Sequence, residues 1–196
     1  MAWDEPGSTA LIVPVPAAEA VIGDLNRRYT PSGEEGVPAH VTLIVPFTHA
    51  REFTADREAD VGAVLRRFRS FPFTLVRLRR FEDAGVLYLA PEPAEPFVEM
   101  IQALVAAFPE HPPYEGQHAT IVPHVTIAEL AEPNVMSQVR VGMRDALPIE
   151  AIADRVLLIE RTEEVRWEVR RTFELEPVPS DPRSTLLSPA EDLPHA

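Results

Sequence analysis

Short apolar runs alternate along the chain with segments that carry apolar residues at helical spacing. Thr9 to Val15 (TALIVPV) reads as a strand, and Pro14 predicts an edge position or the strand's end. Ala17 to Tyr29 carries Ala18, Val21, Ile22 and Leu25 at helical spacing and closes on Arg27 and Arg28, as favoured near a helix C-terminus. The turn-rich stretch TPSGEEGVPA then delivers the chain to His40 and the apolar run AHVTLIVPF. The unit so far is strand, helix, loop, strand.

The same alternation continues. Arg57 to Phe68 reads as a helix with Val61, Val64, Leu65 and Phe68 on one face, and Phe73 to Phe81 and Val86 to Ala90 read as strands joined by the turn EDAG. Pro96 to Phe108 is a helix with Phe97, Ile101, Leu104, Val105 and Phe108 in its apolar stripe. A loop containing HPPYEGQHAT leads to the strand PHVTIAEL, Pro123 to Leu130. A helix near Val135 to Ala146 and strands over Ile149 to Ile159 and Val165 to Leu175 complete the pattern. Residues 177–196, rich in Pro and Ser, bury too little apolar surface to offset the entropy of ordering, so a disordered tail is expected after a single domain over 1–176.

One pattern occurs twice. A helix, a loop ending in a small residue or proline, and then His-Val-Thr-aliphatic are found at His40 and again at His124. At this period and copy number the repeat points to two pseudo-equivalent lobes, not a solenoid. Side chains alternate between faces along a strand, so His40 and Thr42 share one face while Val41, Leu43 and Val45 share the other. His124 and Thr126 are related in the same way against Val125 and Ile127. If the lobes meet face to face, two imidazole–hydroxyl pairs converge on one cleft.

Composition narrows the setting. The 196 residues suffice for one large domain or two small lobes with a shared core. Cysteine is absent, which excludes a disulfide framework and a thiol nucleophile. The first residues lack a positive n-region, and their apolar run is broken by Pro14 and Pro16, unlike a secretory signal. The expectation is a soluble cytoplasmic protein with no membrane partner. A net charge of −13 argues against long nucleic acid, whose phosphates need clustered cations, but leaves room for a small nucleotide in a shielded cleft. All 18 basic residues are Arg.

Two imidazoles flanking a cleft suit phosphodiester chemistry: a neutral His accepts a proton from the nucleophile while a protonated one gives a proton to the leaving oxygen. A threonine hydroxyl beside each can donate to non-bridging phosphate oxygens as charge builds there. The sequence has no His-x-His or His-Glu-x-x-His, no Gly-x-x-x-x-Gly-Lys and no Gly-x-Gly-x-x-Gly turn, so neither a metal site nor a common nucleotide loop is expected.

His40-Val41-Thr42-Leu43 and His124-Val125-Thr126-Ile127 resemble the paired His-x-Thr-x motifs of the 2H phosphoesterase superfamily, in particular its bacterial 2′–5′ RNA ligase-like branch. The order of elements from Thr9 to about Leu175 is similar too. The resemblance implies an α+β, bilobed, pseudo-two-fold fold with two antiparallel sheets facing a central groove and helices outside. It implies metal-independent, cofactor-free action on 2′,3′-cyclic or related phosphates of nucleotides or RNA ends. On that basis His40 and His124 are the acid and base, with His40 given the acid role, and Thr42 and Thr126 bind phosphate. The alternatives are a non-catalytic nucleotide or RNA-end binding module with the same groove, and 2′–5′ ligation. Oligomeric state is left open.

Other residues take plainer readings. His49, His111, His118 and His195 lie near turns or in the tail and read as solvated, with His118 also a candidate for the cleft mouth. Arg77 and Arg79 share a strand face and could hold a phosphate, and Tyr88 or Phe47 could stack on a base; a solvated face and core packing are preferred for them.

Overall fold

Residues 16–29 form a helix because Pro16 sits at the first helical position, Glu19 lies in the first turn, and Arg27 and Arg28 close the last. The chain turns at Thr30, whose hydroxyl accepts from the Gly33 amide at 2.9 Å and starts a second, one-turn helix. Gly33 lies so close to the first helix that a Cβ there would come within 2.5 Å of the Asn26 backbone oxygen. The buried stripe of the first helix is Ala18, Ile22 and Asn26, and Val21 is exposed. The stripe is rotated from the apolar one expected, and a polar residue is part of it.

The computed structural model describes residues 5–117, 121–129, 133–143 and 145–177. In chain order the elements are β1 (Thr9–Pro14), α1 (Pro16–Tyr29), α2 (Pro31–Glu34), β2 (His40–Ile44), α3 (Ala55–Leu65), β3 (Phe71–Phe81), β4 (Val86–Glu92), α4 (Glu95–Ala107), β5 (Val125–Ala128), α5 (Pro133–Gly142), β6 (Ile149–Ala153), β7 (Arg155–Arg161) and β8 (Trp167–Glu174). The fold is α+β, with strand order β6-β3-β4-β5-β2-β1-β7-β8 and antiparallel pairing throughout these strands.

The two facing sheets expected from sequence are instead one sheet. Its two halves join edge to edge where β2 pairs with β5, Val41 opposite Val125. The repeat is visible in the topology: β1-α1-β2 and β4-α4-β5 are equivalent units whose last strands meet at the centre. Ile149 to Ile159 is two strands, broken at Asp154, because β6 pairs with β3 in one half while β7 pairs with β1 in the other. With one residue between strands near opposite ends of the order, the sheet cannot lie flat and curls on itself. Pro14 ends β1, as expected, but β1 is a central strand. The expected tail lies, from residue 178 on, outside the described residues, as do His118 and His195.

Alternation divides the sheet's faces. Val13, Val41, Leu43, Val125, Ile127 and Leu89 pack against α1, α3, α4 and α5 in the main core. Phe97 of α4 is fully buried, with the rings of Phe71 and Phe73 set edge-on to it at 4.9 and 5.0 Å. Phe97→Ala is expected to lower unfolding free energy by about 3–5 kcal/mol through lost burial and a residual cavity, read as a fall in the urea midpoint at unchanged slope. A smaller cluster of Ala10, Ile12, Val37, Leu157 and Ile159, with Val45 and Trp167 against it, occupies the opposite face. Glu35 locks that region: it accepts from Arg161 at 2.8 Å twice and from the Trp167 indole at 3.0 Å.

Candidate functional site

The central strand pair builds the site. Val41 lies opposite Val125 with both side chains in the core, so antiparallel register sets His40 opposite Thr126 and Thr42 opposite His124 on the other face. Each histidine thus faces the threonine of the other motif, and the two histidines are diagonal neighbours, a relation that spans about 7–8 Å. All four side chains are half-buried. β5 begins at Val125, later than expected, so His124 stands just outside the ladder, after a proline that has no N–H to extend it.

Both imidazoles are held alike. Nδ1 of His40 meets the Pro38 carbonyl at 2.7 Å, and Nδ1 of His124 meets the Val122 carbonyl at 2.7 Å. A carbonyl only accepts, so Nδ1 carries a proton in both rings and Nε2 is the nitrogen left to a substrate. Burial pushes the His40 imidazole down to about 4; its carbonyl partner and Glu19 oppose that shift, and the charge of His124 adds to it. Burial also lowers His124, against the pull of the Val122 carbonyl.

His124 has an aromatic wall. Tyr88 lies opposite Thr126 on β4, and Phe81 stacks on Tyr88 at 4.1 Å. Both present rings at steep angles to His124, at 5.1 Å from Phe81 and 5.3 Å from Tyr88. Over the first motif, residues 113–116 make a short turn with left-handed backbone at Tyr114 and Glu115, and the Tyr114 amide donates to the Val45 carbonyl at 2.7 Å. Burial raises the pKa of the Tyr114 phenol, and the neighbouring Thr42 side chain acts the other way.

Helix α1 holds both motifs. Glu19 accepts from the Ala39 amide, next to His40, at 2.7 Å. Asn26 donates to the Thr126 carbonyl at 3.0 Å, and this bond accounts for a buried polar side chain in the helix stripe.

The four residues singled out by the motifs therefore lie together on one face. Of the other candidates, Tyr88 is buried against His124, and Phe47 packs with Phe53, Phe108 and His111 in the core. His111, expected to be solvated, has its ring 5.2 Å from that of Phe47, with burial lowering its pKa. Arg77 pairs with Glu92 at 2.9 Å at the surface, and Arg79, opposite Tyr88, is exposed on the same face as the motifs. Glu19, Asn26, Phe81 and Tyr114 escaped the sequence reading. Tyr114 had only the turn signal of HPPYEG around it.

Clefts of about 370 Å³, between β3 and α5, and about 320 Å³, around His49 and Arg170, contain none of the motif residues. Among the described residues, no three His, Asp or Glu side chains gather in a set able to hold a metal ion, and no helix is long and apolar enough to cross a membrane.

A family model described as the 2′-5′ RNA ligase superfamily matches residues 13–164, which include both motifs. The structure of Escherichia coli LigT complexed with 3′-AMP is similar, with a TM-score of 0.54 at 18% identity, covering 87% of this chain and 99% of that one. The LigT structure with ATP is similar at a TM-score of 0.53 and 16% identity, covering 88% and 99%. The TT0787 protein of Thermus thermophilus aligns with a TM-score of 0.59 at 21% identity, covering 87% and 98%. No curated protein matches the chain.

Proposed function

Because the chain belongs to the 2′-5′ RNA ligase superfamily, we propose that it is a metal-independent phosphodiesterase that opens 2′,3′-cyclic or related phosphates of nucleotides or RNA ends by paired-histidine acid/base catalysis. The observation that supports this most is the matched pair of imidazoles: identical Nδ1 tethers, Nε2 left to a substrate on both, and a threonine across the strand from each.

In this reading a phosphate seats between the histidines. One neutral Nε2 takes a proton from an attacking water as its oxygen bonds to phosphorus. The bond from phosphorus to one ribose oxygen breaks, and the other imidazolium protonates that oxygen, leaving a phosphomonoester and a free hydroxyl. Thr42 and Thr126 donate to the non-bridging oxygens as charge accumulates on them. We assign the acid to His40, whose charged form the nearby Glu19 carboxylate favours, and the base to His124, whose aromatic surroundings favour a neutral ring. Burial depresses both, so in the empty site both are neutral at pH 7, and a bound phosphate's negative charge returns the proton to His40.

The sign of the pH dependence follows. In kcat/KM, which reports the free protein, the two limbs lie at lowered histidine pKa values, so the bell is centred below about 6.5 and falls as pH rises past it. In kcat the alkaline limb lies at higher pH, because the bound phosphate raises the acid's pKa. A kcat/KM profile flat from about pH 5 to 9 contradicts paired-histidine catalysis.

The direct test is turnover of 2′,3′-cyclic nucleotides with excess chelator present. Hydrolysis under those conditions supports the proposal. Binding without turnover across several cyclic nucleotides would instead identify a nucleotide-binding module, and joining of RNA ends would identify a ligase. The net charge of −13 favours a small nucleotide or an RNA terminus over long nucleic acid.

A further inference from the structure

We propose that Arg79 forms a second anion subsite, which binds a phosphate on the 5′ oxygen of the nucleotide whose 2′,3′-cyclic phosphate lies between the histidines. The proposal rests on the phosphodiesterase reading above and adds to it a substrate class: nucleotides and RNA ends phosphorylated on both sides of the ribose.

Two rows of paired residues cross the site face of the sheet. In one, antiparallel register runs from His40 through Thr126 and Tyr88 to Arg79, over β2, β5, β4 and β3. In the other it runs from His124 through Thr42 and Ile12 to Leu157, over β5, β2, β1 and β7. The strand order makes the rows counterparts, one in each half. Both start with a motif histidine and the other motif's threonine, and they end differently. Ile12 and Leu157 are buried in the smaller apolar cluster, with Trp167 against it, so that side offers nothing to a charged group. Arg79 is exposed, and its guanidinium has no ion pair or hydrogen bond among the described residues.

The surroundings keep that cation available. Leu78, its neighbour in the chain, packs against the main core, which turns Arg79 to the other face. β6 pairs with β3 only from Phe71 to Leu75, so past Leu75 the outer edge of β3 is open among the described residues. Arg77, two residues away on the same face, is already committed to Glu92 at 2.9 Å. In a chain of net charge −13, one uncompensated guanidinium suits one phosphate and not a run of them. Arg79 lies two strand spacings from Thr126, about 10 Å. An arginine side chain spans part of that gap and a ribose the rest. Tyr88, with Phe81 stacked on it, supplies an apolar floor between the two anions.

The test compares kcat/KM for adenosine 2′,3′-cyclic phosphate and for its 5′-phosphorylated form, at low ionic strength, in wild type, Arg79→Gln, Arg79→Lys and Arg140→Gln. Arg140 is exposed on α5, which packs on the other face of the sheet, and its loss changes the net charge equally. Wild type is expected to favour the 5′-phosphorylated substrate about 10-fold, the lower end for a hydrogen bond to a charged group, because the contact is exposed and screened. Arg79→Gln is expected to abolish the preference, and Arg79→Lys to keep part of it, since an ammonium lacks the bidentate fork. Arg140→Gln should keep all of it, and added salt should shrink it. No preference in wild type, a preference that survives in Arg79→Gln, or one that falls equally in Arg140→Gln overturns the subsite while leaving the phosphodiesterase reading intact. If neither substrate is turned over, the phosphodiesterase reading fails, and calorimetry with adenosine 3′,5′-bisphosphate and adenosine 3′-monophosphate decides the subsite alone. Tighter binding of the bisphosphate that depends on Arg79 upholds it; equal affinity, or binding of neither, overturns it.

Discussion

Alanine in place of either motif histidine is expected to lower kcat for opening a 2′,3′-cyclic nucleotide by about 10²–10⁴-fold, the usual contribution of one positioned acid or base. His40→Ala and His124→Ala each remove a half-buried ring and one hydrogen bond to a carbonyl two residues earlier. Folding should survive, because the apolar residues beside them, Val41 and Val125, carry the packing. The double variant is expected to lose little beyond the worse single one, since an acid without its base no longer supports the same step. Undiminished turnover in either single variant, with folding verified by circular dichroism, removes that residue from the mechanism.

Thr42→Val is expected to cost about 2–4 kcal/mol of transition-state stabilisation, or about 30–1,000-fold in kcat/KM. Valine keeps the branch and volume while deleting the hydroxyl that would donate to a phosphate oxygen. Thr42 is half-buried on the site face of β2, so the unfolding midpoint should shift little. A large loss of stability with normal kcat/KM per folded molecule would reassign Thr42 to the scaffold. Thr126→Val tests the second donor, and comparing the two shows which motif's hydroxyl contributes more to transition-state stabilisation.

Faces are legible in the sequence and partners are not. Period-two alternation through His40-Val41-Thr42 fixes which side chains share a face, and the structure has each motif so arranged. Alternation says nothing about which strand lies alongside, so the pairing of β2 with β5, and with it one sheet in place of two, has no local signal. Val21 belongs in the buried stripe of α1 by its apolar character alone. The stripe turns instead to take in Asn26, a polar residue whose burial is made possible by its bond to the Thr126 carbonyl a hundred residues away. Tyr88 is a similar case, since only register shows that it lies beside Thr126 and against His124. Tyr114 is hidden for another reason: a left-handed turn built from Tyr and Glu contradicts the preference of those residues.

The bonds from α1 have a consequence for how far the two halves are independent. Glu19 and Asn26 stand about two helical turns apart, about 10 Å along one rigid axis, and each fixes a different copy of the repeated motif. The helix therefore acts as a gauge block that spaces the copies, although it is encoded entirely within the first. Neither copy is a self-sufficient module. A chain cut in the turn between β3 and β4 would leave the second motif without the part that indexes it, and substitutions along α1 that never approach the substrate can detune at once two strands that are neighbours in the sheet but far apart in sequence.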